Sequence, residues 1–167
     1  MSPENGGVPY DELISLLDQV DPGQRYSHEF FNALARISVS VAIEAVVVRV
    51  NPTNCQQEVL LIQRGPEETF PSLWHCPGTI LRVGESIDTA MSRLADNEFK
   101  ARILTFRFVD FYNNPDEGQR GHTMHLVFIV EVEDGSAGTW VPIDDLHEKD
   151  VIPYHRDSVI PLVLKSS

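Results

Sequence analysis

Residues 77–101, PGTILRVGESIDTAMSRLADNEFKA, constrain the fold more than any other part of this 167-residue chain. They predict an extended piece, a turn at Gly84 and one helix. Ser86 is a favourable N-cap residue, and Asp88 puts a negative charge in the first turn, where the helix dipole stabilises it. The apolar residues behind them recur at helical spacing and predict one stripe that packs on a core: Ile87, Ala90, Met91, Leu94 and Ala95. A glycine turn that leads into a helix carrying Arg and Glu off this stripe favours a site for a metal ion and a phosphate.

This stretch resembles the Nudix box, in which a Gly is followed six positions later by Glu, eight positions after that by Arg-Glu, and then by a Glu pair and a Gly. Glu85 and Arg93 keep this spacing, and Glu98 keeps the second member of the Glu pair. Four positions depart from the pattern: Thr79 replaces the opening Gly, Leu94 and Asn97 replace two Glu residues, and Lys100 replaces the closing Gly. The resemblance is therefore to a divergent member with a degenerate box.

The flanking sequence extends the resemblance over residues 37–165. The run LLIQR at residues 60–64 precedes the box, LWHCPG at residues 73–78 leads into it, and WVPIDDL at residues 140–146 resembles a stretch found late in Nudix domains. The resemblance implies an α+β fold, with a Nudix-like α/β/α sandwich around a mixed β-sheet. Periodicity alone supports only an α+β fold.

Two short helices are predicted ahead of this domain, at residues 11–20 and 29–37. Each has an apolar face, made by Leu13, Leu16, Leu17 and Val20 in the first and by Phe30, Phe31, Leu34 and Ile37 in the second. We therefore expect an N-terminal helical extension at residues 1–36 and a Nudix-like domain at residues 37–167. The extension can pack over an edge of the core or form a homodimer contact, and the sequence leaves both roles open.

The resemblance also implies a metal site. In the family, the Glu residues of the box helix bind Mg²⁺ or a similar hard cation that bridges a diphosphate, which gives Glu98, the Asn97 amide oxygen and the Gly78 carbonyl as candidate ligands. Hard cations need several oxygen ligands. Because Leu94 and Asn97 remove two carboxylates, we expect Mg²⁺ or Mn²⁺ to be weakly bound unless a substrate diphosphate adds oxygens. The alternatives are a solvated or ion-paired Glu98 and an ordinary turn glycine at position 78.

Glu85 and Arg93, together with Glu98, are the candidate catalytic residues that the resemblance implies. Glu85 and Arg93 are spaced to meet, and in the family such a pair fixes the turn to the helix; a purely structural ion pair is the alternative. Arg64 and Thr79 are the candidate substrate-binding residues. Arg64 matches a family position where a basic residue contacts phosphates, although it can also be a surface residue at a strand end. Thr79 adds a side chain where the backbone should approach the substrate.

The general base is not identified by the sequence. Asp116, Glu117 and His122 lie in or beside a polar loop where some Nudix enzymes keep this residue. His122 and His125 have odd spacing on a predicted strand, so they should point to opposite faces, which argues against a zinc site. We expect His125 to be a sheet residue rather than a base.

GDP-mannose mannosyl hydrolases are a Nudix subfamily with a similar reduced box, in which Arg-Leu is followed by a single late Glu, as at residues 93–98. The Gln-His pair that those enzymes use in a later loop is missing from residues 133–138, which read EDGSAG. The resemblance to this subfamily therefore includes the metal-binding residues of the box but not the residues that act as the base.

The composition excludes several classes of protein. A formal net charge of −12 argues against a nucleic-acid partner, because a polyanion would be repelled over most of the surface. No apolar run approaches a membrane span, the first residues lack a signal-peptide pattern, and Cys55 and Cys76 form no CxxC pair. We therefore expect a cytoplasmic protein without a membrane partner.

Two functions remain open at this point. The first is a metal-dependent hydrolase of a small nucleoside-diphosphate-linked compound, including nucleotide sugars, with a reduced one-metal site. The second is a catalytically impaired Nudix-fold protein that binds a nucleotide-like ligand or a protein partner.

Overall fold

A computed structural model describes residues 7–24 and 26–166. Expectations for residues 1–6 therefore lie outside the described residues. Helices α1 (Tyr10–Leu17) and α2 (His28–Ala35) form the N-terminal part, and the side chain of Ser27 caps α2 by accepting a hydrogen bond from the amide of Phe30 at 3.2 Å.

The apolar face predicted for the first helix does not face the core, because Leu16 is 57% exposed and no α1 residue is buried. Ile37, which belongs to the apolar face predicted for the second helix, is 77% exposed. An apolar pattern identifies a face but not what covers it.

The strands form two sheets. Their bounds are β1 Val39–Val46, β2 Val48–Val50, β3 Gln57–Gln63, β4 Trp74–His75, β5 Gly78–Ile80, β6 Ile103–Asn114, β7 His122–Val132 and β8 Thr139–Pro142. The first sheet has the order β5-β1-β7-β6, with β1 parallel to β7 and the other pairs antiparallel. In the second, β3 pairs antiparallel with β2, β4 and β8. The parallel pair makes the first sheet mixed, as predicted.

Helices cover both sides of the strands. Alternate residues of a strand point to opposite faces. On β3, Leu60 packs in a core with Met91 of helix α3 (Ile87–Leu94), whereas Leu61 packs in a second core with Val163 of helix α4 (Ile160–Lys165). On β7, Phe128 belongs to the first core, and Val127, its neighbour in the chain, belongs to the second. This layering confirms the predicted α+β, Nudix-like fold.

The box helix does not continue as a regular α-helix. It is capped by Ser86 as predicted, but α3 ends at Leu94 and a π-helical turn, Ala95–Phe99, follows. Lys100 then takes a left-handed conformation with a φ of 53°, which explains why a glycine suits the position that closes the box.

The π-helical turn changes the direction of the last side chains of the box. Leu94 is buried in the core with Met91, whereas Glu98 is half-buried and lines a cleft. Residues four positions apart on a regular α-helix would share one face, but residues 94 and 98 do not, because the π-helical turn breaks the 3.6-residue period.

The C-terminal helical segment is also split, into a π-helical turn at His155–Val159 followed by α4, where Pro161 lies in the first turn and needs no amide partner. Among the described residues, no helix has the length and apolar character needed to cross a membrane.

Candidate functional site

A cleft of about 780 Å³ lies between the box helix and the N-terminal helix α2. Its floor includes residues of β1 and β5, and its rim includes the loop that begins at Arg64. Six of the seven site residues predicted from the sequence line it: Arg64, Gly78, Thr79, Arg93, Asn97 and Glu98. Glu85 is the seventh and is bonded to Arg93. The fold therefore brings the predicted residues together in one place.

Arg93 ties the turn before α3 to the helix. Its guanidinium donates to both carboxylate oxygens of Glu85 at 2.8 Å, to the carbonyl of Ile80 at 2.9 Å and to the hydroxyl of Thr79. These hydrogen bonds lower the pKa of Glu85 to about 2, so its carboxylate stays ionised. The Thr79 side chain, predicted to meet the substrate, is thus engaged with Arg93.

Replacing Arg93 with Lys should lower the free energy of unfolding by about 1–3 kcal/mol, because one ammonium group cannot reproduce this planar set of bonds and leaves Glu85 poorly paired. Urea unfolding measures the change. Arg102→Lys is the control, since Arg102 pairs with Glu133 at an exposed site where the loss should stay below about 1 kcal/mol. Equal losses in the two variants would contradict this role of Arg93.

Glu98 lies in the π-helical turn with its carboxylate toward the cleft. Burial, with a smaller contribution from the nearby charge of Glu68, raises the pKa of Glu98. Within residues 7–24 and 26–166 this carboxylate takes part in no ion pair. Asn97 beside it is exposed. Glu98 is thus a partly buried carboxylate that remains free to bind a cation.

Gly78 lies directly beside a carboxylate that the sequence did not single out. Gly78 on β5 pairs with Glu44 on β1, and a Cβ atom at residue 78 would come within 2.7 Å of Glu44 Oε2 and 2.9 Å of the carbonyl of Ile43. Only a glycine therefore fits at position 78. Glu44 is 4% exposed, lines the cleft, and its Oε2 has no hydrogen-bond partner among the described residues.

Two arginines face the same cleft. Arg64 pairs with Glu68 at 3.5 Å, and its Nε is buried without a hydrogen-bond partner in the described part of the chain. Arg120, which the sequence reading missed, also lines the cleft and lies 3.5 Å from Glu117. Burial is the main cause that lowers the pKa of Arg64, and the nearby charge of Arg120 lowers it further. Two guanidinium groups that repel each other beside a cleft form a favourable site for an anion.

A buried ionisable network lies behind the floor of the cleft. His125 Nδ1 is 2.8 Å from Glu44 Oε1, and His125 Nε2 is 3.5 Å from Glu117 Oε2. Burial alone would lower the pKa of His125, but the two carboxylates outweigh it and raise that pKa to about 9. Burial raises the pKa of Glu44, whereas the pKa of Glu117 is lowered, because its contacts with His125 and the charge of Arg120 outweigh burial. At neutral pH the network therefore holds a protonated imidazole.

Two further histidines in the same region stay neutral. Burial and the charge of Arg64 lower the pKa of His75 to about 3, and burial holds the pKa of His155 well below its usual range. His155 accepts a hydrogen bond from the amide of Cys76 at 3.0 Å, so its Nε2 carries the proton. That Nε2 lies 3.8 Å from Glu44 Oε2.

The loop residues proposed as bases take different positions. His122 lies 2.7 Å from the side-chain oxygen of Asn113, while Glu117 is 3% exposed and points at His125. Asp116 accepts a hydrogen bond from the amide of Gly118 at the surface. His122 and His125 point to different surroundings, as their spacing predicts.

The residues that line the cleft offer few ligands for a hard cation. No group of three or more His, Cys, Asp or Glu residues with metal-binding geometry exists among the described residues. Glu98 supplies one free carboxylate, and its oxygen chemistry suits Mg²⁺ or Mn²⁺. The other oxygens would come from the Gly78 carbonyl, the Asn97 amide and a bound diphosphate.

A family model described as the NUDIX domain matches residues 43–162. The chain belongs to the Nudix family. This match covers most of the chain and agrees with the fold and with the spacing of the box.

Individual relatives are distant. The chain is 27% identical over 96 residues to a protein named ADP-ribose pyrophosphatase from Methanocaldococcus jannaschii, a match covering 58% of this chain and 53% of that one. The chain thus spans about half the length of this relative.

Solved structures share the fold. The NUDIX domain of Shewanella oneidensis NrtR, solved with ADP ribose, matches with a TM-score of 0.62 and 16% identity over 92% of this chain and 98% of that one. A MutT NUDIX hydrolase from Burkholderia pseudomallei matches with a TM-score of 0.61 and 18% identity over 75% of this chain and 97% of that one.

Proposed function

We propose that this Nudix protein is a hydrolase of a small nucleoside-diphosphate-linked compound, with a reduced site for one Mg²⁺ or Mn²⁺. The observation that carries the proposal is the placement of Arg64, Arg120 and Glu98 around one cleft. The described lining of the cleft contains four arginines and three glutamates, although the whole chain carries a net charge of −12. An anion that the rest of the surface repels can therefore enter here.

Each residue then has a role. Arg64 and Arg120 bind the phosphates, while Glu98, with the Gly78 carbonyl and the Asn97 amide, holds the cation. Glu85 and Arg93 fix the turn between them, and Thr79 orients Arg93 through its hydroxyl. A bound cation supplies neutralisation of phosphate charge. In the reaction, a water oxygen bonds to phosphorus and loses a proton to solvent, the bridging P–O bond breaks, and the leaving phosphate keeps the electron pair of that bond.

ADP-ribose is the first substrate to test. One relative carries the name ADP-ribose pyrophosphatase, and one structural neighbour was solved with ADP ribose. Nucleotide sugars come next, since the reduced box is similar to that of GDP-mannose mannosyl hydrolases. Another neighbour, Shewanella oneidensis NrtR, was solved with a 27mer DNA, but the net charge of −12 argues against a nucleic-acid partner here.

A substrate panel tests the proposal. ADP-ribose, nucleotide sugars, dinucleoside polyphosphates and nucleoside triphosphates are incubated with Mg²⁺ or Mn²⁺, and phosphate-containing products are quantified. Glu98→Gln should reduce the rate on the order of 100-fold, because it removes the cleft carboxylate that forms no ion pair with any described residue. Asp96→Asn is the matched control, since Asp96 is in the same turn but outside this cleft and should leave the rate unchanged.

The second candidate function is nucleotide binding without catalysis. The burial of Leu94 in the core favours it, because the position after Arg93 then contributes nothing to a metal. Ligand-induced thermal stabilisation without product from any compound of the panel would support binding alone and exclude hydrolysis of these compounds. Turnover that Glu98→Gln leaves unchanged would contradict the cation role of Glu98.

A further inference from the structure

The N-terminal helix α2 forms a wall of the cleft. Tyr26, His28, Phe31 and Asn32 line this wall, together with Leu34 and Ala35 at the end of the helix. We propose that this wall binds the base of a nucleotide whose phosphates lie at Arg64 and Arg120. The inference rests on the proposed function and assigns the N-terminal extension a role in substrate recognition.

Contacts at both ends hold the wall in place. Ser27 caps the start of α2, and the ring of Tyr26 packs edge-to-face against Phe30 with a centroid distance of 5.2 Å. At the other end Ala35 is buried, and a Cβ atom on Gly121 would come within 2.4 Å of the Ala35 carbonyl. The last turn of α2 therefore lies in direct backbone contact with the loop at Gly121.

The same contact couples the wall to the phosphate site. Arg120 immediately precedes Gly121, and its side chain lines the cleft. Gly121 has a φ of 66°, a conformation that glycine adopts readily. It also has no side chain, which allows the close approach to α2. One packing contact thus sets the position of the wall relative to Arg120.

The chemistry of the wall suits a nucleobase. Phe31 and Tyr26 are only half-buried although they are aromatic, so part of each side chain remains free for a ligand in the cleft. Aromatic side chains stack on any base because every base has a π-face, while the amide of Asn32 can bond to a base edge. A cleft of about 780 Å³ falls within the usual size range of small-molecule sites.

Isothermal titration with ADP and with inorganic pyrophosphate, each with Mg²⁺, separates the base from the phosphates. Phe31→Leu keeps the apolar bulk and removes the ring. We expect it to weaken ADP binding roughly tenfold, the loss of one stacking contact, and to leave pyrophosphate binding unchanged. Phe111→Leu is the matched control, because Phe111 is an exposed aromatic on β6 outside the cleft, and it should change neither affinity.

The outcomes distinguish this inference from the proposed function. The wild-type protein is also titrated with GDP and UDP. If it binds pyrophosphate as tightly as it binds ADP, GDP and UDP, the inference about the base is wrong, while the proposed phosphate site still stands. Wild-type protein that binds none of these probes would overturn both. Tyr26→Leu provides a second test if Phe31→Leu proves unstable. If a folded Phe31→Leu variant binds ADP as tightly as the wild type, the ring of Phe31 does not stack on the base. The same result for Tyr26→Leu would exclude stacking by Tyr26.

Discussion

Replacing His125 with Leu is expected to lower the free energy of unfolding by about 3–5 kcal/mol. His125 is fully buried between the carboxylates of Glu44 and Glu117, at 2.8 and 3.5 Å. Without the imidazole, two acidic groups would remain in the interior without their shared partner. The expected loss is a large part of the 5–15 kcal/mol that stabilises a typical domain. Urea unfolding followed by circular dichroism measures the change.

Two further variants test the cause of that loss. His122→Leu alters the neighbouring histidine of the same strand, which is not part of the network, and it should cost much less. Adding Glu44→Met and Glu117→Met to His125→Leu removes the buried charges and should recover part of the stability, since an apolar replacement of a whole buried ion network is often tolerated. A loss below about 1 kcal/mol for His125→Leu would show that the network contributes little.

The contribution of the three buried histidines to stability should be greatest near pH 6.5 and should fall on both sides. His125 has its pKa raised from 6.5 to about 9 in the folded state. Its contribution is therefore complete below pH 6.5 and is lost as the pH rises to about 9, a change of about 3 kcal/mol. His75 has its pKa lowered to about 3, so its contribution is present above pH 6.5 and is lost as the pH falls toward 3. The pKa of His155 is also lowered, so its contribution to stability is likewise lost as the pH falls.

Urea unfolding at several pH values measures both the loss of stability above pH 6.5 (the alkaline limb) and the loss below it (the acidic limb). His125→Gln removes the group responsible for the alkaline limb, so its stability should become nearly flat between pH 6.5 and about 9. His122→Gln is the control and should keep that limb. A wild-type protein with constant stability over this range would contradict a protonated imidazole between Glu44 and Glu117.

Much of the fold could be predicted from the sequence because local patterns determine it. Ser86 caps α3 as its position suggests, and Ala90, Met91 and Leu94 are buried as their spacing predicts. Glu85 and Arg93 meet across the turn at 2.8 Å. The π-helical turn could not be predicted, because nothing in residues 95–99 distinguishes its hydrogen bonding from that of an α-helix.

The buried network was missed for a different reason. Glu44 and His125 contact each other although 81 positions separate them, and only the parallel pairing of β1 with β7 brings them together. A signal was nevertheless present in the sequence, since Glu44 is the only charged residue between Val39 and Val48. A single carboxylate inside an apolar strand is costly to bury and therefore indicates a partner elsewhere in the chain. Arg120 lies in a polar loop and gave no comparable signal.

The burial of Leu94, just before the π-helical turn at Ala95–Phe99, limits what a change at position 94 could do. Leu94 is a core residue whose neighbours include Met91 and Phe99. Reintroducing the family's glutamate at position 94 would place a carboxylate among these apolar side chains, away from Glu98. Replacing Leu94 with Glu alone would thus destabilise the fold before it could improve metal binding. The burial of position 94, as much as its missing carboxylate, therefore keeps that position from holding a metal ion.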